Sequence, residues 1–237
     1  MASTYDLKAR ATPGLLAIAP ISVALLSLGL IQSSALTAAS ALATIVGGTY
    51  VISVLVGAIG RGAQVTLWTE WDGPSTTRML RLRDRATNPL QQRKWRTDIT
   101  ALTGVDLFDE AEERRQPSAA DQAIETAVAS CRYLGHGGPR GIAAVQAENT
   151  QYGFERNLYA LRWIGRGLAL LAAVGTALSH ALLNATPTPA FLTSLAPTVP
   201  CLLFWALAPS EKRTRQAADR YAVQLFNAVS VAAHTPS

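Results

Sequence analysis

The densest set of proton-exchanging groups in the chain is Asp106, Asp109, Glu110, Glu112 and Glu113, five carboxylates within eight residues. Paired carboxylates at such spacing can bind a divalent cation or share general acid and base work. No histidine lies among them, however, and Arg114 and Arg115 follow at once. A run of acids answered by adjacent bases is the pattern of a solvated helix start, and that is the expectation here.

A second candidate is the glycine cluster Gly135, Gly137, Gly138 and Gly141, which surrounds His136 and Arg140. Backbone amides freed by glycine can form an anion-holding nest, and Arg140 would assist. A phosphate loop also needs Lys followed by Ser or Thr, and neither is present, so the cluster reads as a turn. The mixed polar and aromatic set Asn149, Tyr152, Arg156 and Asn157 could join Arg140 as a small-ligand platform.

No HExxH, GxSxG, dinucleotide fingerprint or zinc-type cysteine spacing occurs. No catalytic, metal-binding or cofactor-binding residue is therefore assigned, and an enzyme using the glycine loop ranks third among the readings. The two cysteines, Cys131 and Cys201, fall in segments of different character and are not expected to pair.

What must position these groups is set by where charge is missing. Charged residues make up 16% of the 237 residues and apolar ones 49%, against roughly 25% charge in an average soluble chain. Four uncharged runs, 14–31, 35–60, 167–183 and 190–208, are each about as long as a helix that crosses a bilayer. All 21 Lys and Arg lie outside them. The short connectors near Gln32 and Asn184 carry no base, whereas the middle segment and the tail are rich in them. By the positive-inside rule both termini and the middle segment then face the cytosol.

The expected fold class is an all-α membrane protein: four transmembrane helices in two hairpins flank a mostly helical cytosolic domain, and a C-terminal amphipathic helix follows. The segments are a cytosolic arm at 1–13, hairpin one at 14–60, the cytosolic domain at 61–166, hairpin two at 167–208 and the tail at 209–237. The location expected is the inner membrane.

Small residues let helices approach in lipid, so Ala43, Gly47 and Gly48 on the second span and Ala169, Ala173 and Ala177 on the third are the expected packing tracks. Arg78, Arg81, Arg83 and Arg85, together with Lys212, Arg213 and Arg215, are placed to contact anionic lipid. This basicity accounts for a pI near 9.6, so nucleic acid is not an expected partner. Membrane lipid, a second copy of the chain, and a cytosolic protein or small ligand are.

Local signals add detail to the cytosolic domain. Asp72-Gly73-Pro74 marks a turn with Ser75 or Thr76 as the following cap, and Asn88-Pro89 is a break before a helix stopped by Gly104. Ala120, Ile124, Ala127, Cys131 and Leu134 form one helical stripe; Tyr221, Leu225, Val229 and Ala232 form another behind a Ser210 cap. An oligomeric pore or membrane effector governed by this domain heads the functional expectations. A membrane-anchored scaffold or regulator comes second.

Overall fold

The computed structural model describes residues 4–27, 35–84, 87–137, 142–183, 196 and 198–234. Within these, 26–27, 35–50, 134–137, 142 and 183 are described by their helical backbone alone. The protein is all-α, and the described residues contain no strand. A π-helical segment, Asp6–Ala11, leads into α1 (Thr12–Ser27), followed by α2 (Ala35–Glu70), α3 (Ser75–Leu80), α4 (Pro89–Thr103) and α5 (Glu110–Arg115). Then come α6 (Pro117–Gly137), α7 (Ile142–Ala160), α8 (Arg162–Leu183), α9 (Thr198–Leu207) and α10 (Glu211–Ala233).

These helices build two compact units: unit 1 comprises Met1–Val65 with Gly153–Arg213, and unit 2 comprises Thr66–Tyr152 with Thr214–Ser237. The stretches Val51–Leu80 and Arg162–Leu182 are long and apolar enough to cross a membrane. α2 runs on to Glu70, ten residues past the Gly60 boundary drawn from charge. Charge marks where a helix stops suiting lipid, whereas the helix itself ends where its backbone must turn.

That turn is at Asp72 and Gly73, whose φ angles of 59° and 110° lie in the left-handed region. Asp and Gly tolerate it for different reasons, one through local side-chain hydrogen bonding and the other through its missing Cβ. The N-cap of α3 is Pro74, while Ser75 and Thr76 are buried rather than capping. Asn88 caps α4, accepting a hydrogen bond from the Leu90 amide at 3.0 Å, and Gly104 ends it at φ 69°. Ser210 accepts from the Arg213 amide at 3.2 Å.

Unit 1 packs α1, α8 and α9 around Ala17, Val56, Leu158, Leu161, Ala169 and Trp205. Close approach depends on absent side chains. A Cβ at Gly14 would overlap Ile52, one at Gly60 would overlap Asn157, and one at Gly165 would overlap the Trp205 indole. α1 also carries Pro20 in its interior.

Unit 2 has a conventional inward core. α6 packs with α3, α4 and α5, and its stripe Ala120, Ile124, Ala127 and Cys131 is buried. On α10, Ala222, Leu225, Phe226 and Val229 are buried, with Trp95 of α4 tilted on Phe226 at 5.2 Å. Ala232, expected on that stripe, is exposed. Burial pushes the Cys131 thiol up to about 11. The thiolate is the reactive form. Cys131 should consequently resist maleimide at pH 8 in the folded protein and label fully once denatured, which mass spectrometry of the labelled chain can check.

Candidate functional site

The first polar assembly lies in unit 2 and is built on a carboxylate. Glu113 is fully buried in α5, where one oxygen accepts from the backbone amides of Leu82 (2.8 Å) and Arg83 (3.2 Å). Its other oxygen takes the Arg96 guanidinium at 2.8 Å. Arg96 also donates to the carbonyls of Leu80 and Phe108. Burial holds the Arg96 pKa below the ordinary arginine value against the opposing pull of Glu113. Gln92 adds donation to the carbonyls of Met79 and Arg81 at 3.0 and 2.7 Å. The non-helical segment after α3 is thus held by side chains from α4 and α5 in place of backbone ladders, as a buried loop requires.

Glu113 was expected among solvated acids and is instead the centre of this assembly. The other expectation for the segment holds in detail, since Asp109 and Glu112 form a reciprocal capping box at the start of α5. Among the described residues there is no group of three or more metal-ligating side chains.

Beside Glu113 lies a second charged knot. Arg81 meets Asp121 through two nitrogens at 2.9 Å, Asp72 at 2.9 Å and Asp84 at 3.3 Å, and Arg83 meets Asp121 at 2.8 Å. Burial is the largest single influence and opposes the Arg81 charge, but Asp121, Asp84 and Asp72 together outweigh it, so its pKa is raised. Arg81 is 4% exposed. A guanidinium occupied by three carboxylates presents no face to a lipid headgroup, which corrects the expectation for this residue. Arg83 is likewise committed, Arg78 is half-buried in α3, and Arg85 lies outside the described residues.

The basic residues at the start of α10 divide similarly. Lys212 is exposed. Arg213 pairs with the buried Glu155 at 2.8 Å. Arg215 is half-buried, with its guanidinium 6.0 Å from the Trp71 ring.

Of the residues expected to form a ligand platform, Arg156 and Asn157 meet, the guanidinium donating to the Asn157 side-chain oxygen at 3.4 Å. Arg140 lies outside the described residues, Asn149 is half-buried, and Tyr152 stacks on Tyr221 at 6.4 Å in unit 2. In unit 1, Asn157 is fully buried and donates to the Ala9 carbonyl at 2.6 Å, while Arg156 donates to Gln64. Asp6 and Arg10 pair at 2.7 Å in the π-helical segment. These groups tie the start of the chain to α7 and α2, and they look inward.

On α8 the small-residue track is displaced. Ala169 is buried as expected, but Ala173 and Ala177 are half-buried, and the buried face continues through Ala172 and Thr176. Residues four apart turn about 40° past a full helical turn, so a strict four-residue track drifts off any straight contact. Ala43, Gly47 and Gly48 lie on α2 where side chains are outside the described set.

The outward surface carries the most consequential signal. Among the described residues, 22 large apolar side chains are exposed; 19 belong to unit 1 and three, Leu90, Tyr133 and Val231, to unit 2. Ile18, Val54, Leu55, Leu170, Leu171 and Leu203 are among them, exposed by 43 to 61%. At the end of α8 where charge resumes, Arg162 sits 3.8 Å from the Tyr159 ring centroid, and Arg166 sits 4.9 Å from that of Trp163. Unit 2 also has an open groove of about 440 Å³ lined by Leu82, Arg93, Arg96, Thr97 and Glu110. Arg96 there is committed to Glu113, and Glu110 to Arg114.

No protein-family model, curated protein or solved structure matches the chain.

Proposed function

We propose that the chain is a multi-pass inner-membrane protein in which four charge-free helices form two hairpins, with both termini and the middle segment in the cytosol. In this reading it works as an oligomeric membrane effector or pore controlled by its helical cytosolic part. The observation that carries the membrane assignment is the reversal of surface character between the units. Unit 1 turns large apolar side chains outward while unit 2 turns them in. Isolated exposed apolar residues are ordinary, but a contiguous apolar exterior needs lipid or another protein against it.

The interior of unit 1 is filled by Trp205, Leu158 and Leu161, and the Thr176 hydroxyl donates to the Ala172 carbonyl of its own helix. A conducting path would therefore run between copies and not through one. α8 offers an outward face for such contact, since a Cβ at Gly167 or Gly175 would meet nothing within 4 Å. Helices in lipid associate through close packing at such small residues.

One experiment tests the whole reading: oligomeric state in detergent, ion flux in liposomes, and topology reporters on the same chain. Fusions after Pro89, Pro117 and Ser237 should report cytosol, and fusions at Ser33 and Thr186 the outside. A periplasmic signal at Pro117 overturns the layout. An oligomer with ion leak supports the pore. A monomer without flux leaves the second reading, a membrane-anchored scaffold or regulator of a cytosolic partner, which the packed cluster around Trp205, Leu158 and Leu161 favours.

A further inference from the structure

We propose that Arg162, Trp163 and Arg166 form a binding site for the phosphate of an anionic phospholipid, a proposal that rests on the membrane reading of unit 1. Lipid contact is thereby moved from the Arg78 to Arg85 cluster to the first turn of α8. In that cluster Arg81 and Arg83 are consumed by Asp121. In contrast, neither Arg162 nor Arg166 has a carboxylate partner among the described residues.

Both guanidiniums are held in place without being used up. Arg162 rests on the Tyr159 ring and donates to the Tyr159 carbonyl at 2.9 Å. Arg166 rests on Trp163 and donates to the Trp205 carbonyl at 3.1 Å, with a longer contact to Ala206 at 3.5 Å. Each guanidinium has five N–H donors, so several remain on both. Stacking on a ring and bonding to a fixed carbonyl reduce the freedom lost when an anion binds.

The surroundings select a lipid over a free anion. Trp163 is 68% exposed, and beyond it the same helix exposes Ile164, Leu170, Leu171, Val174 and Leu178. From Trp163 to the exposed Leu182, α8 rises about 28 Å, close to the thickness of a hydrocarbon core. The two cations therefore stand at one edge of an apolar face of membrane height. Indole rings favour that level, and acyl chains would cover the face below.

The test uses the full chain in nanodiscs of phosphatidylcholine mixed with phosphatidylglycerol, reading phosphatidylglycerol enrichment around the protein by mass spectrometry. The wild type should enrich the anionic lipid. Each basic residue near the surface contributes about a fivefold preference, so Arg162→Gln/Arg166→Gln should lower the enrichment roughly 25-fold. The Arg162→Lys/Arg166→Lys variant keeps charge but not the planar fork and should fall between. Arg166 also supports the end of α9, so Arg162→Gln alone, with about a fivefold loss expected, decides the matter if the double variant does not fold. Inorganic phosphate should not displace the lipid. Unchanged enrichment in a folded Gln variant, or displacement by inorganic phosphate at the lipid's own concentration, overturns the site. Failure of the wild type to enter nanodiscs at all would instead bring down the membrane reading.

Discussion

Glu113→Gln is expected to destabilise unit 2 by about 3–5 kcal/mol, the cost of leaving one member of a buried ion pair without its partner. Both oxygens of Glu113 act purely as acceptors, one for two backbone amides and the other for Arg96. An amide has one acceptor and one donor. Whichever way Gln is turned, its NH2 faces either the amides of Leu82 and Arg83 or the Arg96 guanidinium, donor against donor. Thermal unfolding of the full chain in detergent, followed by circular dichroism, measures the effect. Arg96→Met should be similarly damaging, because it leaves the fully buried Glu113 carboxyl without its counter-ion. The two changes together should cost less than their sum, since each removes an interaction the other has already broken. Strict additivity would mean that the pair contributes nothing as a pair.

This assembly also shows what was legible from residue order and what was not. The turn at Asp72 and Gly73, the break at Asn88-Pro89 before α4, the Gly104 stop and the Ala120 to Cys131 stripe all stand where the sequence puts them. Each is a local signal, written by a residue whose own backbone preference or helical period decides the outcome. The burial of Glu113 is different in kind. Its partners are 30 and 31 residues away at Arg83 and Leu82 and 17 residues away at Arg96, and nothing in the run of acids distinguishes it from its exposed neighbours. The same holds for Asn157, whose partner Ala9 is 148 residues distant. Buried polar groups are chosen by tertiary partners, so short-range pattern assigns them to solvent by default.

The membrane expectation was legible for the opposite reason. A charge-free run needs no partner to be noticed; four such runs raise the expectation of four spans, and among the described residues two stretches, Val51–Leu80 and Arg162–Leu182, are long and apolar enough to cross a membrane. The outward apolar face of unit 1 supports it, yet helix ends and charge boundaries do not coincide: α2 continues through Arg61 to Glu70. Which arginines meet lipid also depends on which are already engaged. Arg81 and Arg162 are both basic residues near an apolar segment, and only their partners, three carboxylates for one and an aromatic ring for the other, tell them apart.

The second large effect is expected at Gly165. A Cβ there would overlap three carbons of the Trp205 indole, and the ring has little room to yield. Trp205 is 1% exposed, its Nε1 donates to the Leu16 carbonyl at 3.2 Å, and Phe204 meets it edge-on at 5.5 Å. Its own carbonyl accepts from Arg166. Gly165→Ala should therefore cost about 1–3 kcal/mol as an overpacked contact, and Gly165→Leu should prevent α1, α8 and α9 from closing. On the proposed membrane reading these helices gain little from transfer out of water, so the loss is felt as broken packing and not as exposed area. Thermal stability of the full chain in detergent reads the first effect, and the yield of folded, monodisperse protein reads the second. Trp205→Ala removes the Cδ2, Cε2 and Cε3 carbons nearest Gly165 and should itself destabilise by leaving a cavity. In the Gly165→Ala background the same change should be smaller or even restorative, because the new methyl occupies the space the indole has left. That sign reversal separates a steric clash at Gly165 from a general weakness of glycine replacement in α8, which would leave the two effects additive.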